Sequence, residues 1–213
     1  MTDKIRTRSK SELKRDSILK AAVRCFSENG FVHTSMDSIA KLAGVSKQTV
    51  YSHFGNKDDL FMASVGKKCE EFKQAAFASS KQTDIKGTLT NFAVEFIRLM
   101  LSDEGMSAHR LCVAEAQVNP KVSQLFYQAG PELVIKSLAE LLDDINKQVS
   151  QCGGVGKAID DTYRAAIQFL CLVKGEAVMR REYNTTWQPS TKQIKAYIDS
   201  SVGLFLRGYG IAS

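Results

Sequence analysis

The sequence predicts an all-α protein: an N-terminal three-helix unit followed by a larger helical domain. Three observations carry that prediction. Apolar residues recur at spacings of three and four, and no segment alternates polar and apolar long enough to make a strand. Only Pro120, Pro131 and Pro189 interrupt the 213 residues, so long helices are permitted. The stretch Gly44 to Phe54 reads as a tight turn that leads into a short helix with an apolar back and a polar front.

The elements follow in order. Residues 1–9 form a basic arm, and Ser9 or Ser11 starts a first helix that runs to about residue 29. Its inward face is Ile18, Ala21, Ala22, Cys25 and Phe26, and Asn29-Gly30 stops it. Ser35 caps a second helix with Asp37 in its favourable first turn, and Gly44 ends that helix in the left-handed conformation. Ser46 then caps a third helix through the amide of Thr49. Val50 and Phe54 face inward on it, which leaves Lys47, Gln48, Tyr51 and Ser52 outside. This is the pattern of a helix-turn-helix with its second helix free to enter a groove. Gly55 closes it, and Asn56 caps a helix over about 57–80 that carries Leu60, Phe61, Val65, Cys69 and Phe72.

Further helices are expected over 84–102, 107–118, 121–129 and 131–151, with residues 103–105 as a loop. Pro120 and Pro131 suit helix first turns. Gly153-Gly154-Val155-Gly156 reads as a linker, and two long helices over 158–183 and 191–209 complete the chain. The domain boundaries expected from these segments are 1–9 for the arm, 10–56 for the helix-turn-helix unit and 57–213 for the rest.

Charge and composition narrow the function. The net charge is +6. Lys4, Arg6, Arg8, Lys10, Lys14, Arg15 and Lys20 crowd the first twenty residues against Asp3, Glu12 and Asp16. A basic arm ahead of a helix-turn-helix suits DNA, and the alternative is a solvated tail. No run approaches the roughly 18 apolar residues that span a bilayer, and no signal-peptide core is present, so no membrane partner and a cytoplasmic location are expected. Five cysteines, Cys25, Cys69, Cys112, Cys152 and Cys171, show no metal-type spacing and read mostly as buried thiols. His109, Cys112 and Glu115 invite an enzyme or metal reading. At about 100° per residue they are spread around their helix, so neither catalysis nor a metal or cofactor is expected there.

The run Thr34-Ser-Met-Asp-Ser-Ile-Ala-Lys-Leu-Ala-Gly-Val-Ser-Lys-Gln-Thr-Val-Tyr-Ser-His-Phe-Gly-Asn-Lys-Asp-Asp-Leu60 closely resembles the signature of the TetR/AcrR family of bacterial transcriptional regulators. With the first helix the resemblance covers residues 15–61. Residues 110–116, 126–131 and 169–175 look like one widespread variety of that family's ligand domain.

The resemblance implies a homodimer that reads a palindromic double-stranded DNA operator. It also implies a larger domain that binds a small-molecule effector, usually with release of DNA. It implies that Ser35, Thr49, Tyr51, His53 and Lys57 contact phosphate or sugar, and that Lys47, Gln48 and Tyr51 lie nearest the base edges. Ser52 shares that outer face. Gln48 departs from the family, in which glycine is common, and its amide suits a bidentate contact to adenine.

Several site assignments have a second reading in the residues themselves. His53 is either a phosphate contact or an ordinary surface histidine. Glu115 either orients a ligand or serves Arg110 or a backbone amide. Cys69, Phe72, Phe92, Phe96, Phe126 and Phe169 either line an apolar effector cavity or are plain core. The last two helices either pack within one subunit or form a bundle across a two-fold axis, with Tyr163, Leu170, Tyr197, Val202 and Phe205 at the interface. The expected function is a ligand-responsive DNA-binding repressor released by a mostly apolar molecule, with an activator or dual regulator on the same DNA module as the alternative. A stiff helix over 57–80 is expected to convey the effector's presence to the DNA-reading helices.

Overall fold

The computed structural model describes residues 9–78, 84–151 and 158–211. Most of the basic arm and the expected glycine linker therefore lie outside the described residues. The described residues form ten α-helices and no strand, in the order α1 (Lys10–His33), α2 (Met36–Ala43), α3 (Lys47–Phe54), α4 (Lys57–Phe77), α5 (Ile85–Leu101), α6 (Asp103–Glu115), α7 (Pro120–Ala129), α8 (Pro131–Gln151), α9 (Thr162–Glu182) and α10 (Thr191–Tyr209).

Local chemistry explains most helix ends. Ser9 caps α1 by accepting from the Glu12 amide, and the Glu12 carboxylate accepts from the Ser9 amide in return. Ser35 and Ser190 head α2 and α10 with the same reciprocal bonding, to Ser38 and Gln193. Asp84 and Asp161 cap α5 and α9. Gly30, expected to stop the first helix, takes a non-helical conformation inside α1, and the chain coils on to His33 beyond this break. The expected loop at 103–105 is instead helical, because the Ser102 hydroxyl accepts from the Gly105 amide and starts α6 directly.

Contacts divide the chain into two compact units, and the division differs from the one expected at residue 57. The first unit runs to Lys67 and takes in Ser107–Ala129, whereas the second comprises Lys68–Met106 and the chain from Gly130 onward. The reason lies in α6 and α7. Cys112 and Val122 are buried with Ile18, Ala22, Phe26, Ile39, Val50, Phe54 and Phe61, and Leu111, Leu125 and Phe126 pack partly buried on the same core. Lys121 of α7 also pairs with Asp58 in the first turn of α4.

The second unit packs α5, α8, α9 and α10 together with the later part of α4. Its aromatic rings touch in series: Phe72 on Phe92, Phe92 on Phe169, Phe169 on Phe205, and Phe205 on Tyr209, with centroids 4.7 to 6.4 Å apart. Asn146 holds Ile159 by both of its backbone groups, each bond being 2.9 Å. The helix expected as unbroken over 158–183 is interrupted at Gly175, with φ 50° and ψ −158°. A side chain there would overlap the Tyr197 ring, whose hydroxyl donates to the Leu172 carbonyl at 3.1 Å. Glycine permits both the left-handed backbone and the close approach.

Candidate nucleic-acid interface

The interface begins with the turn between α2 and α3. Gly44 adopts φ 68° and ψ 33°. The Val45 amide then reaches back to the Ala40 carbonyl at 3.1 Å and the Gly44 amide to Lys41 at 3.3 Å. This pair of bonds is the Schellman ending, which satisfies carbonyls that the helix end would otherwise leave without donors. The Ser46 hydroxyl accepts from the Thr49 amide at 3.1 Å and lies 2.8 Å from the Thr49 hydroxyl. A side-chain cap of this kind stabilises a helix by about 1 kcal/mol.

Behind α3, Val50 is fully buried and Phe54 nearly so, with the Arg15 guanidinium over the Phe54 ring at 5.0 Å. In front, Lys47, Gln48, Tyr51 and Ser52 are exposed, and Thr49 and His53 are half-buried. The side chains of one face of an eight-residue helix thus stand clear of the core, as a groove-reading helix requires.

The eight residues expected on DNA are not equally available. Gln48 and Tyr51 stand outward, the latter 43% exposed. Ser52 donates to the Thr49 carbonyl at 2.9 Å, and Ser35 is engaged in the cap of α2. Lys47 forms an ion pair with Asp37, with its ammonium 2.9 and 3.0 Å from the two carboxylate oxygens. That contact raises the Lys47 pKa, through the hydrogen bond first and the charge attraction second.

Lys57 departs most from expectation. Its ammonium donates to the Phe31 carbonyl at 2.9 Å and the Thr34 carbonyl at 3.1 Å, with Val32 at 3.4 Å, and it lies 4.4 Å from the centre of the Phe31 ring. Its donors are therefore directed at the end of α1 rather than at a phosphate. Beside it the buried Thr34 hydroxyl shares its one proton between the Gly30 and Cys25 carbonyls, at 2.6 and 3.0 Å. One ammonium and one hydroxyl together satisfy most of the terminal carbonyls of α1.

The residues expected to line an effector site do not form one cluster. Phe72, Phe92, Phe96 and Phe169 are buried in the core of the second unit, and Cys69 packs on it. Phe126 packs on the core of the first unit, and Glu115 falls within that unit too. Glu115 has one carboxylate oxygen buried without a hydrogen-bond partner, and its charge adds to the burial that pushes the Cys112 thiol up to about 12. Burial likewise pushes Cys69 up to about 11. Among the described residues no three His, Cys, Asp or Glu side chains converge as a metal ion would need.

The expected dimer residues also separate. Leu170, Val202 and Phe205 are buried within the protomer, Leu170 on the inward face of α9 and the other two on that of α10 with Ile198, Ser201 and Leu206. Tyr163 and Tyr197 are exposed. With them on the outer faces of α9 and α10 stand Ile167, Cys171 and Leu204. The spacing 163, 167, 171 places Tyr163, Ile167 and Cys171 on one face of α9.

Comparison with known proteins adds to this geometry. Residues 18–63 match the profile of the tetR family of bacterial regulatory proteins. Residues 87–211 match that of the AefR-like transcriptional repressor C-terminal domain. The chain is 28% identical over 173 residues to the fatty acid metabolism regulator protein of Bacillus subtilis (strain 168), covering 80% of this chain and 81% of that one. The crystal structure of a TetR-family transcriptional regulator from Mesorhizobium loti MAFF303099 superposes with a TM-score of 0.75 at 26% identity, over 95% of this chain and 100% of that one. The flavonoid-responsive regulator FrrA superposes with a TM-score of 0.71 at 31% identity, over 92% and 96%. No helix among the described residues is long and apolar enough to cross a membrane. With its glycine-turned pair α2–α3, its all-helical second unit and profile matches in both halves, the chain belongs to the TetR family of DNA-binding transcriptional regulators and is not an enzyme.

Proposed function

We propose that this protein is a homodimeric repressor that reads a palindromic operator with α3 and is released by a mostly apolar small molecule. The observation that carries the DNA-reading part is the outer face of α3, where Gln48 and Tyr51 stand exposed over the buried Val50 and Phe54. In this reading Thr49, Ser52, His53 and Ser35 position the helix on the sugar–phosphate chain, while Gln48 and Lys47 address base edges.

Repression is supported by the match of residues 87–211 to a repressor C-terminal domain. An apolar effector is supported by the aromatic composition of the second unit, including Phe72, Phe92, Phe96 and Phe169. Two relatives point the same way, one a flavonoid-responsive regulator and one a regulator of fatty acid metabolism. The dimer is supported by the exposed apolar side chains on α9 and α10, since two such faces related by a two-fold axis would form a four-helix bundle. An effector that prefers the DNA-free state must weaken DNA binding by the factor by which DNA weakens effector binding.

The test is selection of duplexes from a randomised pool by the purified protein, followed by binding and transcription assays on the selected sequence. A palindrome bound by two protomers and a promoter silenced by the protein are expected. Selection of no common sequence would refute operator reading, and activation of the promoter would refute repression.

A further inference from the structure

We infer that Asp37 is a specificity-determining residue of the DNA interface, acting through Lys47. The inference rests on the proposal that the outer face of α3 reads DNA.

Lys47 is the first residue of α3. A cation there sits at the positive end of the helix dipole, the less favourable end for it. The site nonetheless attracts phosphate, since free backbone amides and a lysine ammonium both favour an anion. Left alone, Lys47 would be a mobile phosphate anchor that grips any DNA. Asp37, in the first turn of α2, meets that ammonium with both carboxylate oxygens, at 2.9 and 3.0 Å. The two side chains are ten residues apart and joined across the Gly44 turn.

Three consequences follow. The carboxylate cancels the ammonium's charge as phosphates see it, so attraction that is blind to sequence falls. It also accepts a hydrogen bond from the ammonium, which holds the ammonium beside Asp37 and leaves its other donors for a base-edge acceptor such as guanine O6 or N7. Finally, a sequence that offers no acceptor gains no attraction from the neutralised pair, so wrong sites lose the grip that an unpaired Lys47 would give them. Both side chains are more than half exposed, at 57% and 62%, so the pair adds little to folding and its removal is read in binding.

The experiment uses the full chain with two duplexes of equal length, one selected by the protein from a randomised pool and one scrambled. Fluorescence anisotropy gives affinities over a series of KCl concentrations for wild type, Asp37→Asn, Asp37→Glu, Lys47→Met and the Asp37→Asn/Lys47→Met double variant. Circular dichroism confirms that each is folded.

Asp37→Asn is expected to tighten binding to the scrambled duplex and to steepen its log K against log salt slope by about 0.9, one added phosphate contact. The selected-to-scrambled affinity ratio is expected to fall roughly tenfold, the scale of one lost base contact. Asp37→Glu should restore most of the ratio, and Asp37→Asn should change nothing further in the Lys47→Met background. The inference is overturned if Asp37→Asn leaves slope and ratio unchanged, or if it acts equally with and without Lys47. The underlying reading fails in a different way: Lys47→Met and Tyr51→Ala would both then bind the selected duplex as wild type does.

Discussion

Replacing Lys57 by methionine separates two roles that lead to opposite measurements. As placed, the ammonium supports the corner between α1 and α2 through the Phe31, Val32 and Thr34 carbonyls and the Phe31 ring. A partly exposed charge-assisted hydrogen bond contributes about 1.5 kcal/mol net, and the cation–ring contact about 0.5 kcal/mol more. The remaining bonds are not added, because the released carbonyls regain water. The expected loss is therefore about 2 kcal/mol. With a urea dependence of about 2 kcal/mol per molar, the unfolding midpoint should fall by about 1 M.

Methionine keeps the apolar stem on Phe31, and Lys57→Arg, which keeps charge and donors, should recover much of the loss. Urea titration followed by far-ultraviolet circular dichroism reads stability, and salt-dependent anisotropy reads DNA contact in the same variants. The structural placement requires a lower midpoint with an unchanged salt slope. An unchanged midpoint with a slope shallower by about 0.9 would make Lys57 a phosphate ligand after all and refute the reasoning.

Other outcomes follow from the same structure. Gln48→Ala should relax preference at one or two base pairs, at about 1–3 kcal/mol if its amide contact is bidentate, and equal weakening on all sequences would count against direct reading. Leu204→Lys, on the exposed face of α10, should yield monomers by analytical ultracentrifugation, whereas Phe205→Ala should chiefly lower stability because that ring is buried in the protomer. A dimer unaffected by Leu204→Lys would place the interface elsewhere. At high pH the buried thiols set a stability limit. Unfolded cysteines ionise near 9.0, while Cys69 and Cys112 in the fold ionise near 11 and 12. Unfolding thus releases their protons between those values, so stability is full below about pH 9 and falls as pH rises to 11–12. Cys69→Ser/Cys112→Ser should flatten this decline relative to wild type, and an identical decline would contradict it.

The recognition turn was legible in the sequence because every determinant is local. Gly44, Ser46, Val50 and Phe54 lie within eleven residues; Gly44 and Ser46 act on neighbours within five positions, and the spacing of four between Val50 and Phe54 marks their shared inward face. The helical order was legible for the same reason, since periodicity and caps are short-range signals. The roles of Lys57 and Asp37 were not. Lys57 works on carbonyls 23 to 26 residues back, and Asp37 on a lysine ten residues ahead across a turn. A side chain that bonds to distant backbone leaves no periodic trace.

The same limit explains the site residues that moved. Periodicity marks which residues of α9 and α10 share an apolar face. It does not say whether that face meets the protomer or a partner, so Leu170, Val202 and Phe205 fit either reading by sequence, and in the fold they are buried within the protomer. The helices α6 and α7 have a short apolar face each, and their membership in the first unit depends on contacts with residues far earlier in the chain, such as Leu111 against Gly30. Nothing in the local pattern of Glu115 or Phe126 distinguishes that core from the other.

Whether a small apolar molecule controls DNA binding is decided by one titration. The 213-residue chain is held on a duplex selected from a randomised pool while a flavonoid, and in parallel a long-chain fatty acid, is added and anisotropy is followed. Sedimentation of the DNA-free protein with the same molecules gives the oligomeric state. At least one of the two is expected to lower DNA affinity by fivefold or more, the lower end of ordinary coupling, with the dimer intact. Binding of either molecule, seen by calorimetry, with DNA affinity unchanged would contradict it.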